Sequence, residues 1–187
     1  MRKFILLLVL LTSSLGISQS KYEVEDGNIV VTKTIENIGE TKDEIYKRVK
    51  SYFTRSYGSA NSVIQTDDKE GGLVIGKGLY LNMTTFLLGT WKTNAYHILR
   101  IDIKDGRARI ICTATTIIPN SSSYLDDKYE YAIANYLPIT DKRAPAMTKK
   151  AQEEAFNALV EKMQESVESL AQTIKGEGGV KKEYADW

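Results

Sequence analysis

The sequence predicts an α+β protein in which a single antiparallel five-stranded sheet carries two helices on one face, in the order β-α-β-β-β-β-α. Three observations predict this fold class. Segments of strand and helix periodicity follow one another in that order between residues 29 and 175. The dipeptide Asp105-Gly106 separates two strand-like segments, as in a tight hairpin. Before the C-terminal tail, a long apolar stripe at helical spacing predicts a helix that is long enough to cross a five-stranded sheet.

The first predicted elements are a strand and a capped helix. Residues 29–35 are rich in β-branched side chains, which favour a strand. Thr41 and Glu44 have the spacing of a capping box, and Gly58 is typical of a helix end. Apolar residues then recur every fourth position, at Ile45, Val49 and Phe53. These features predict a helix over 41–57, and strands over 62–68 and 73–81 around a turn at 69–72.

The strongest signal is the hairpin formed by predicted strands 96–104 and 107–118. Asp-Gly is the preferred pair of a type I′ turn, which would place Lys104 opposite Arg107 and Asp102 opposite Arg109. One face of the hairpin then carries an apolar stripe that is expected to face the core: His97, Leu99, Ile101, Ile103, Ala108, Ile110, Cys112 and Ala114. The opposite face is charged near the turn and apolar further away, at Tyr96, Ile98, Ile111 and Ile117. We expect this apolar half to be covered or used by a partner.

Two connecting segments leave the predicted sheet beside that apolar half. They comprise residues 82–94 and the long aromatic loop 119–146. Loops of the second length are uncommon in compact domains and are often functional. The final helix is predicted from Thr148 to Gly176, with Phe156, Leu159 and Met163 on its apolar stripe.

The N-terminus has the pattern of a signal peptide. Arg2 and Lys3 precede eight apolar residues, and small residues follow, so cleavage is expected after Ser18, with Ser20 as the alternative. The apolar run is too short to span a membrane. We therefore expect a signal peptide over 1–18, a single α+β domain over 19–175 and a loose tail over 176–187. The mature chain would be periplasmic or secreted and would have no transmembrane segment.

Composition excludes several classes of function. The chain has 187 residues, one Cys, one His, 25 basic and 24 acidic residues. A lone Cys112 forms no intramolecular disulfide, and a His/Cys metal site lacks ligands. A formal net charge of +1 gives no basic excess for nucleic acid. We expect no cofactor, no metal site and no nucleic-acid partner.

The sequence resembles a known family at its caps and turns. The matching segments are Glu40-Thr41-Lys42-Asp43-Glu44-Ile45-Tyr46, Asp67-Asp68-Lys69-Glu70-Gly71-Gly72-Leu73-Val74-Ile75-Gly76-Lys77-Gly78 and Lys104-Asp105-Gly106-Arg107. They are similar to the secreted Bacteroidetes domain-of-unknown-function proteins described as having a TBP-like fold, over about residues 29–118. The resemblance implies that fold. It supplies no catalytic residues, because the family has no assigned activity, and a TBP-like architecture does not imply DNA binding.

Two motifs could carry catalysis. Gly71, Gly76, Lys77 and Gly78 approach a phosphate-binding loop, but Gly78 replaces the Ser or Thr that binds Mg²⁺ and the surrounding residues favour strands. These glycines indicate close backbone approach instead. His97 is the candidate general base of a small hydrolase or isomerase with a helix–sheet pocket, and Cys112 could lie beside it as a nucleophile. A lone His or Cys on an apolar face is more often structural, so we assign no catalytic residue.

The aromatic side chains of the connecting segments are the best candidates for binding. Tyr and Trp combine an apolar body with a polar tip, which suits contacts with small molecules or proteins. The predicted binding residues are Trp91, Tyr96, Tyr124, Tyr129, Tyr131 and Tyr136. The sequence thus favours a non-catalytic module of the cell envelope with a small-molecule or protein partner. The alternatives are that the aromatic loops only close the sheet, that His97 serves an enzyme, or that the chain is a structural subunit of a surface assembly.

Overall fold

The structure is a computed structural model that describes residues 22–58, 60–121, 130–136, 143–144 and 146–177. The expected signal peptide, Tyr124, Tyr129 and the tail from residue 178 onwards lie outside these residues. The elements are β1 (Glu23–Glu25), β2 (Asn28–Ile35), α1 (Lys42–Tyr57), α2 (Ala60–Val63), β3 (Ile64–Asp68), β4 (Leu73–Phe86), β5 (Trp91–Lys104), β6 (Arg107–Ala114), β7 (Thr116–Asn120), β8 (Tyr131–Ala132), a 3₁₀ turn (Ile133–Asn135) and α3 (Lys149–Lys175).

The described residues form one antiparallel sheet of eight strands, so the predicted five strands and the order β-α-β-β-β-β-α were wrong. Among the described elements, two strands precede α1, the short helix α2 follows it, and six strands lie before α3. The order is β1-β2-β6-β5-β4-β3, and β7 pairs with both β5 and β8. Strand β1 was not predicted because most of its residues are polar. It pairs with β2 through a turn at Asp26 and Gly27, whose φ values are 48° and 78°. Both values are positive, as a type I′ turn requires. Strand β8 pairs Tyr131 with Ile117, inside the predicted long loop.

The predicted strand over 107–118 is in fact two strands separated at Thr115. His97 pairs with Ala114, but the next pairs join Asn94 to Ile118 and Thr93 to Pro119, so the chain contains one extra residue on the β6–β7 side. An extra residue of this kind is a β-bulge, and it reverses the alternation of side chains. Ile117 is consequently buried with the core cluster, and its predicted place on the open half of the sheet was wrong.

The hairpin between β5 and β6 has the predicted register. Lys104 pairs with Arg107 and Asp102 pairs with Arg109. Its turn is not type I′, because only Gly106 has a positive φ, of 70°. The turn is instead held by the chain that enters α1. The Asp105 carboxylate accepts a hydrogen bond from the Lys42 backbone N–H at 2.8 Å, and the Gly106 N–H donates to the Glu40 carbonyl at 3.0 Å.

Segment 82–94, predicted as a connection, continues the β4–β5 hairpin. Phe86 pairs with Trp91, and the turn between them contains Leu87, Leu88 and Gly89 with φ values of 50°, 57° and 83°. A second irregularity lies where Tyr80 pairs with Ala95 and Thr84 with Thr93, which leaves two extra residues in β4.

Both long helices agree with the predictions and pack on one face of the sheet. Thr41 and Thr148 cap the N-termini of α1 and α3, and Gly58 and Gly176 end them with φ values of 71° and 82°. Between helices and sheet lies one core cluster of apolar side chains, which includes Phe53, Leu99, Ile101, Ile110, Leu159, Met163 and Leu170. Burial of this layer is the main stabilising contribution to the fold.

Candidate functional site

His97 lies in the core between the sheet and α1, where the predicted alternation of β5 places it. Its side chain is 1% exposed. Its Nε2 atom lies 2.6 Å from the Tyr57 hydroxyl, and its ring stacks on Tyr80 with 3.8 Å between ring centroids. The Tyr80 hydroxyl donates to Ser166 Oγ at 2.8 Å and lies 3.7 Å from Cys112 Sγ. His97 Nδ1 has no hydrogen-bond partner among the described residues.

The titratable groups of this cluster are held in their uncharged forms. Burial lowers the pKa of His97 to about 4 and raises the pKa of the Cys112 thiol to about 12. Burial likewise raises the pKa values of Tyr57 and Tyr80. A general base needs a pKa near the working pH, and a nucleophilic cysteine needs a lowered one. The buried, uncharged side chains of this cluster are therefore typical of a packed protein core rather than of a catalytic centre.

The glycine-rich segment serves the same packing. Gly76 and Gly78 lie inside β4 and open no helix. A Cβ atom on Gly76 would lie 2.4 Å from Phe53 Cε1, and one on Gly78 would lie 2.5 Å from His97 Cε1 and 2.6 Å from Tyr57 Cε1. These glycines allow α1 and His97 to approach the backbone of β4 closely, as the sequence indicated.

The opposite face of the sheet carries the second candidate site. Directly paired residues point to the same side, so Lys77, Ile98 and Thr113 form one row across β4, β5 and β6, and Ile75, Arg100 and Ile111 form the next. Ile98 is 37% exposed at the centre of this surface. The Lys77 ammonium lies 4.3 Å from the ring centroid of Tyr96, in a cation–π contact. We name this surface the open face: Ile75, Lys77, Tyr96, Ile98, Arg100 and Ile111.

An ion-pair network borders the open face on the side of the β5–β6 turn. Asp102 accepts from Arg100 at 2.9 Å and from Arg109 at 2.7 Å, which includes the cross-strand pair that the register predicted. Burial alone would raise the pKa of Asp102, but the two guanidinium groups outweigh that effect and lower it. Beyond it lies a pocket of about 280 Å³ lined by Thr34, Asp102, Lys104, Arg107, Ala108 and Arg109. Basic side chains thus outnumber acidic ones on this side of β5 and β6.

The structure places the described members of the predicted aromatic binding group in three locations. Tyr96 lies on the open face. Trp91 pairs with Phe86 at the tip of the β4–β5 hairpin, with 5.9 Å between ring centroids. Tyr131 is 6% exposed, donates to Met147 Sδ at 3.2 Å and packs edge-on against Tyr136 at 4.8 Å. These two tyrosines join β8 to the segment that enters α3.

Several open-face residues were not predicted as site residues. Ile75 and Lys77 belong to β4, for which no pairing with β5 was predicted, and Arg100 was not singled out in the predicted hairpin. The alternation of Leu73, Ile75, Lys77 and Leu79 was the signal that could have identified this face of β4.

Two further features bear on the chemistry of the site. The described residues contain no cluster of three or more His, Cys, Asp or Glu side chains that could hold a metal ion. No helix in the described ranges is long and apolar enough to cross a membrane.

The antiparallel sheet with both long helices on one face defines an α+β domain. Residues 32–117 match the model of the DUF4468 family, a domain of unknown function with TBP-like fold. The resemblance inferred from the cap and turn residues is thereby confirmed. None of the curated proteins matches the chain.

Two solved structures are similar to this fold. A DUF4468 family protein from Bacteroides ovatus superposes with a TM-score of 0.60 at 14% identity, over 83% of this chain and 90% of that one. A TBP-like protein from Parabacteroides distasonis superposes with a TM-score of 0.56 at 21% identity, over 80% of this chain and 96% of that one. At these identities the likeness extends to the fold alone.

Proposed function

We propose that this protein is an exported, non-catalytic module of the cell envelope that binds an acidic, partly apolar partner through its open face. The observation that carries the proposal is the exposure of Ile98 amid basic side chains at the centre of the sheet. Both long helices pack on the other side, so this face is free of them. Apolar surface rimmed by polar groups is typical of interaction sites.

Charge supports an acidic partner. Lys77 pairs with Ile98 across β4 and β5, Arg100 follows Ile98 two residues along β5, and Arg107 and Arg109 extend the basic surface toward the β5–β6 turn. Asp102 pairs with two arginines and offsets the charge of only one of them, so this group keeps a net positive charge. A partner with carboxylates beside apolar side chains would match this arrangement, and its association would weaken as salt is raised.

Site-specific photocrosslinking in the native envelope tests the proposal. A benzophenone side chain replaces Ile98 in one version of the protein and Val24, which is 52% exposed on β1, in the control. We expect one discrete adduct from position 98 and none of the same mass from position 24. Charge reversal by Lys77→Glu with Arg100→Glu should abolish that adduct while the melting temperature is retained. An adduct that is equally strong at position 24, or that persists after charge reversal, would contradict the proposal.

Export is part of the same proposal and has its own test. The basic start, the short apolar run and the small residues around Ser18 support a cleaved signal peptide. Cell fractionation followed by N-terminal sequencing of the mature protein should give a chain that begins at Gln19, or at Lys21 if cleavage follows Ser20. Recovery of the uncleaved chain from the cytoplasm would refute export.

A further inference from the structure

The tip of the β4–β5 hairpin exposes two adjacent leucines. Leu87 is 55% exposed and Leu88 is 105% exposed, whereas Leu99, Leu159 and Leu170 are fully buried. Burial in the fold therefore does not explain why the tip is apolar.

The backbone of the tip makes these residues more unusual. Both leucines have positive φ, of 50° and 57°, a region that bulky side chains rarely occupy. A turn selected for stability would place Asn or Gly there. The turn is closed locally, since the Thr90 N–H and hydroxyl both reach the Leu87 carbonyl, at 3.2 Å and 2.7 Å. Strained residues whose side chains project into solvent point to a role in binding.

The residues behind the tip are arranged in layers. Phe86 and Trp91 form an aromatic pair immediately behind the leucines. Lys92 follows and is exposed, on the other face of the strand from Trp91. Leucines would enter hydrocarbon, Trp prefers the membrane–water interface, and a long Lys side chain can extend its ammonium to lipid headgroups.

The charge of the hairpin matches an anionic surface. Residues 71–101 contain no Asp or Glu, although the whole chain has 24, and the basic Lys92 lies directly behind the tip. Electrostatic attraction to anionic headgroups adds to the insertion of apolar side chains, and two such signals together give stable attachment.

We propose that the hairpin tip, residues 86–91, is a membrane-contact element that inserts Leu87 and Leu88 into an anionic lipid surface. The contact is peripheral, because two leucines and an aromatic pair reach only the outer part of the hydrocarbon layer. It is independent of the open face, from which Leu87 and Leu88 are separated along the hairpin.

Tryptophan fluorescence with vesicles tests this proposal. The chain has two tryptophans, so Trp187→Phe leaves Trp91 as the sole reporter. Processed protein, with its N-terminus verified by mass, is titrated with vesicles of phosphatidylethanolamine and phosphatidylglycerol, and with phosphatidylcholine vesicles. We expect a blue shift of Trp91 emission with the anionic vesicles only, reduced at high salt.

The variants make the test specific. Leu87→Ser with Leu88→Ser should weaken vesicle binding on the order of tenfold or more for each leucine. Leu81→Ser is the matched control, because Leu81 is 60% exposed on the same hairpin, several residues behind the tip. It should leave vesicle binding unchanged. Melting curves verify that each variant folds.

Three results would overturn the proposal. In the first, neither vesicle type shifts Trp91 emission, which would mean that the tip contacts no lipid and that a protein pocket is the occupant to seek. Leu81→Ser could weaken binding as much as the tip double variant. Binding detected by sedimentation without a shift in Trp91 emission would assign the contact to another surface.

Discussion

The single histidine offers a quantitative test of the packing between α1 and the sheet. His97 is buried against Tyr57 and Tyr80, and burial lowers its pKa from 6.5 to about 4. In the unfolded chain the same imidazole is protonated below pH 6.5. Protonation therefore favours the unfolded state, and acid should destabilise the fold through this residue.

The sign and the magnitude follow from linkage. Above pH 6.5 the imidazole is neutral in both states and contributes no pH dependence. Between pH 6.5 and about 4 the unfolded state binds the extra proton, so the free energy of unfolding falls as the pH falls. The difference between the two pKa values corresponds to about 3 kcal/mol, which is lost in full once the pH is below both values.

Two measurements check this value. Because the chain has one His, the imidazole Hε1 signal of tag-free protein needs no assignment, and its NMR titration reports the folded pKa directly. Urea unfolding from pH 7.5 down to pH 4 gives the change in the free energy of unfolding. The variant His97→Gln cannot titrate there, so its loss on acidification should be smaller than that of the original protein by about 3 kcal/mol.

The variant also serves as the control for other groups. Asp67, Asp102 and Glu168 have lowered pKa values because of hydrogen bonds and neighbouring cations, and they lose stabilisation in acid in both proteins. Subtracting the two pH profiles removes their contribution. An Hε1 titration midpoint near 6.5 in the folded protein, or parallel pH profiles for the two proteins, would refute the buried position of His97.

Three further substitutions test other contacts. Gly78→Ala should lower the free energy of unfolding by about 1–3 kcal/mol, because its Cβ would overlap His97 and Tyr57. Lys77→Ala on the same strand is the control and should change stability little. Equal losses from the two substitutions would contradict the close approach of His97 and Tyr57 to the β4 backbone. Thr148→Ala removes the oxygen that accepts from the Ala151 N–H and should cost about 1 kcal/mol in urea unfolding. Asp102→Asn should cost at most about 1 kcal/mol, less at high salt, and a larger salt-independent loss would contradict an exposed ion-pair network.

Local chemistry made the central hairpin and the helix ends predictable. The Asp105-Gly106 pair leaves two residues between strands, and this short connection fixes the pairing of Lys104 with Arg107 whatever the turn type. Thr41 and Thr148 are side-chain caps whose acceptor oxygens act within three residues. The burial of His97 and Cys112 followed from the same register.

The missed elements depend on contacts that are distant in sequence. Thr113 to Ile118 are almost all β-branched, so nothing local indicates that the strand breaks at Thr115. The bulge is defined only by the partner strand, where two residues of β5 face three. The hairpin turn after Phe86 was hidden because Leu87 and Leu88 are not turn formers. The Asp26-Gly27 pair is typical of a hairpin turn and could have been recognised in the sequence. The strand before it was not predicted because most residues of β1 are polar.

The irregularities in β4 and at Thr115 also border the surface that we propose as a binding site. Beside the break at Thr115, residues on both faces of the paired strands β5 and β7 are buried, including Thr93, Asn94, Ile117, Ile118 and Asn120. Between these irregularities and the β5–β6 turn, the pairing of β4, β5 and β6 is regular and only one face is covered by the long helices. The open face is therefore a bounded surface in the middle of the sheet, centred on Ile98. The described aromatic residues expected to extend it are divided between that surface, the hairpin tip and the core, so the open face and the tip are two separate candidate contact surfaces.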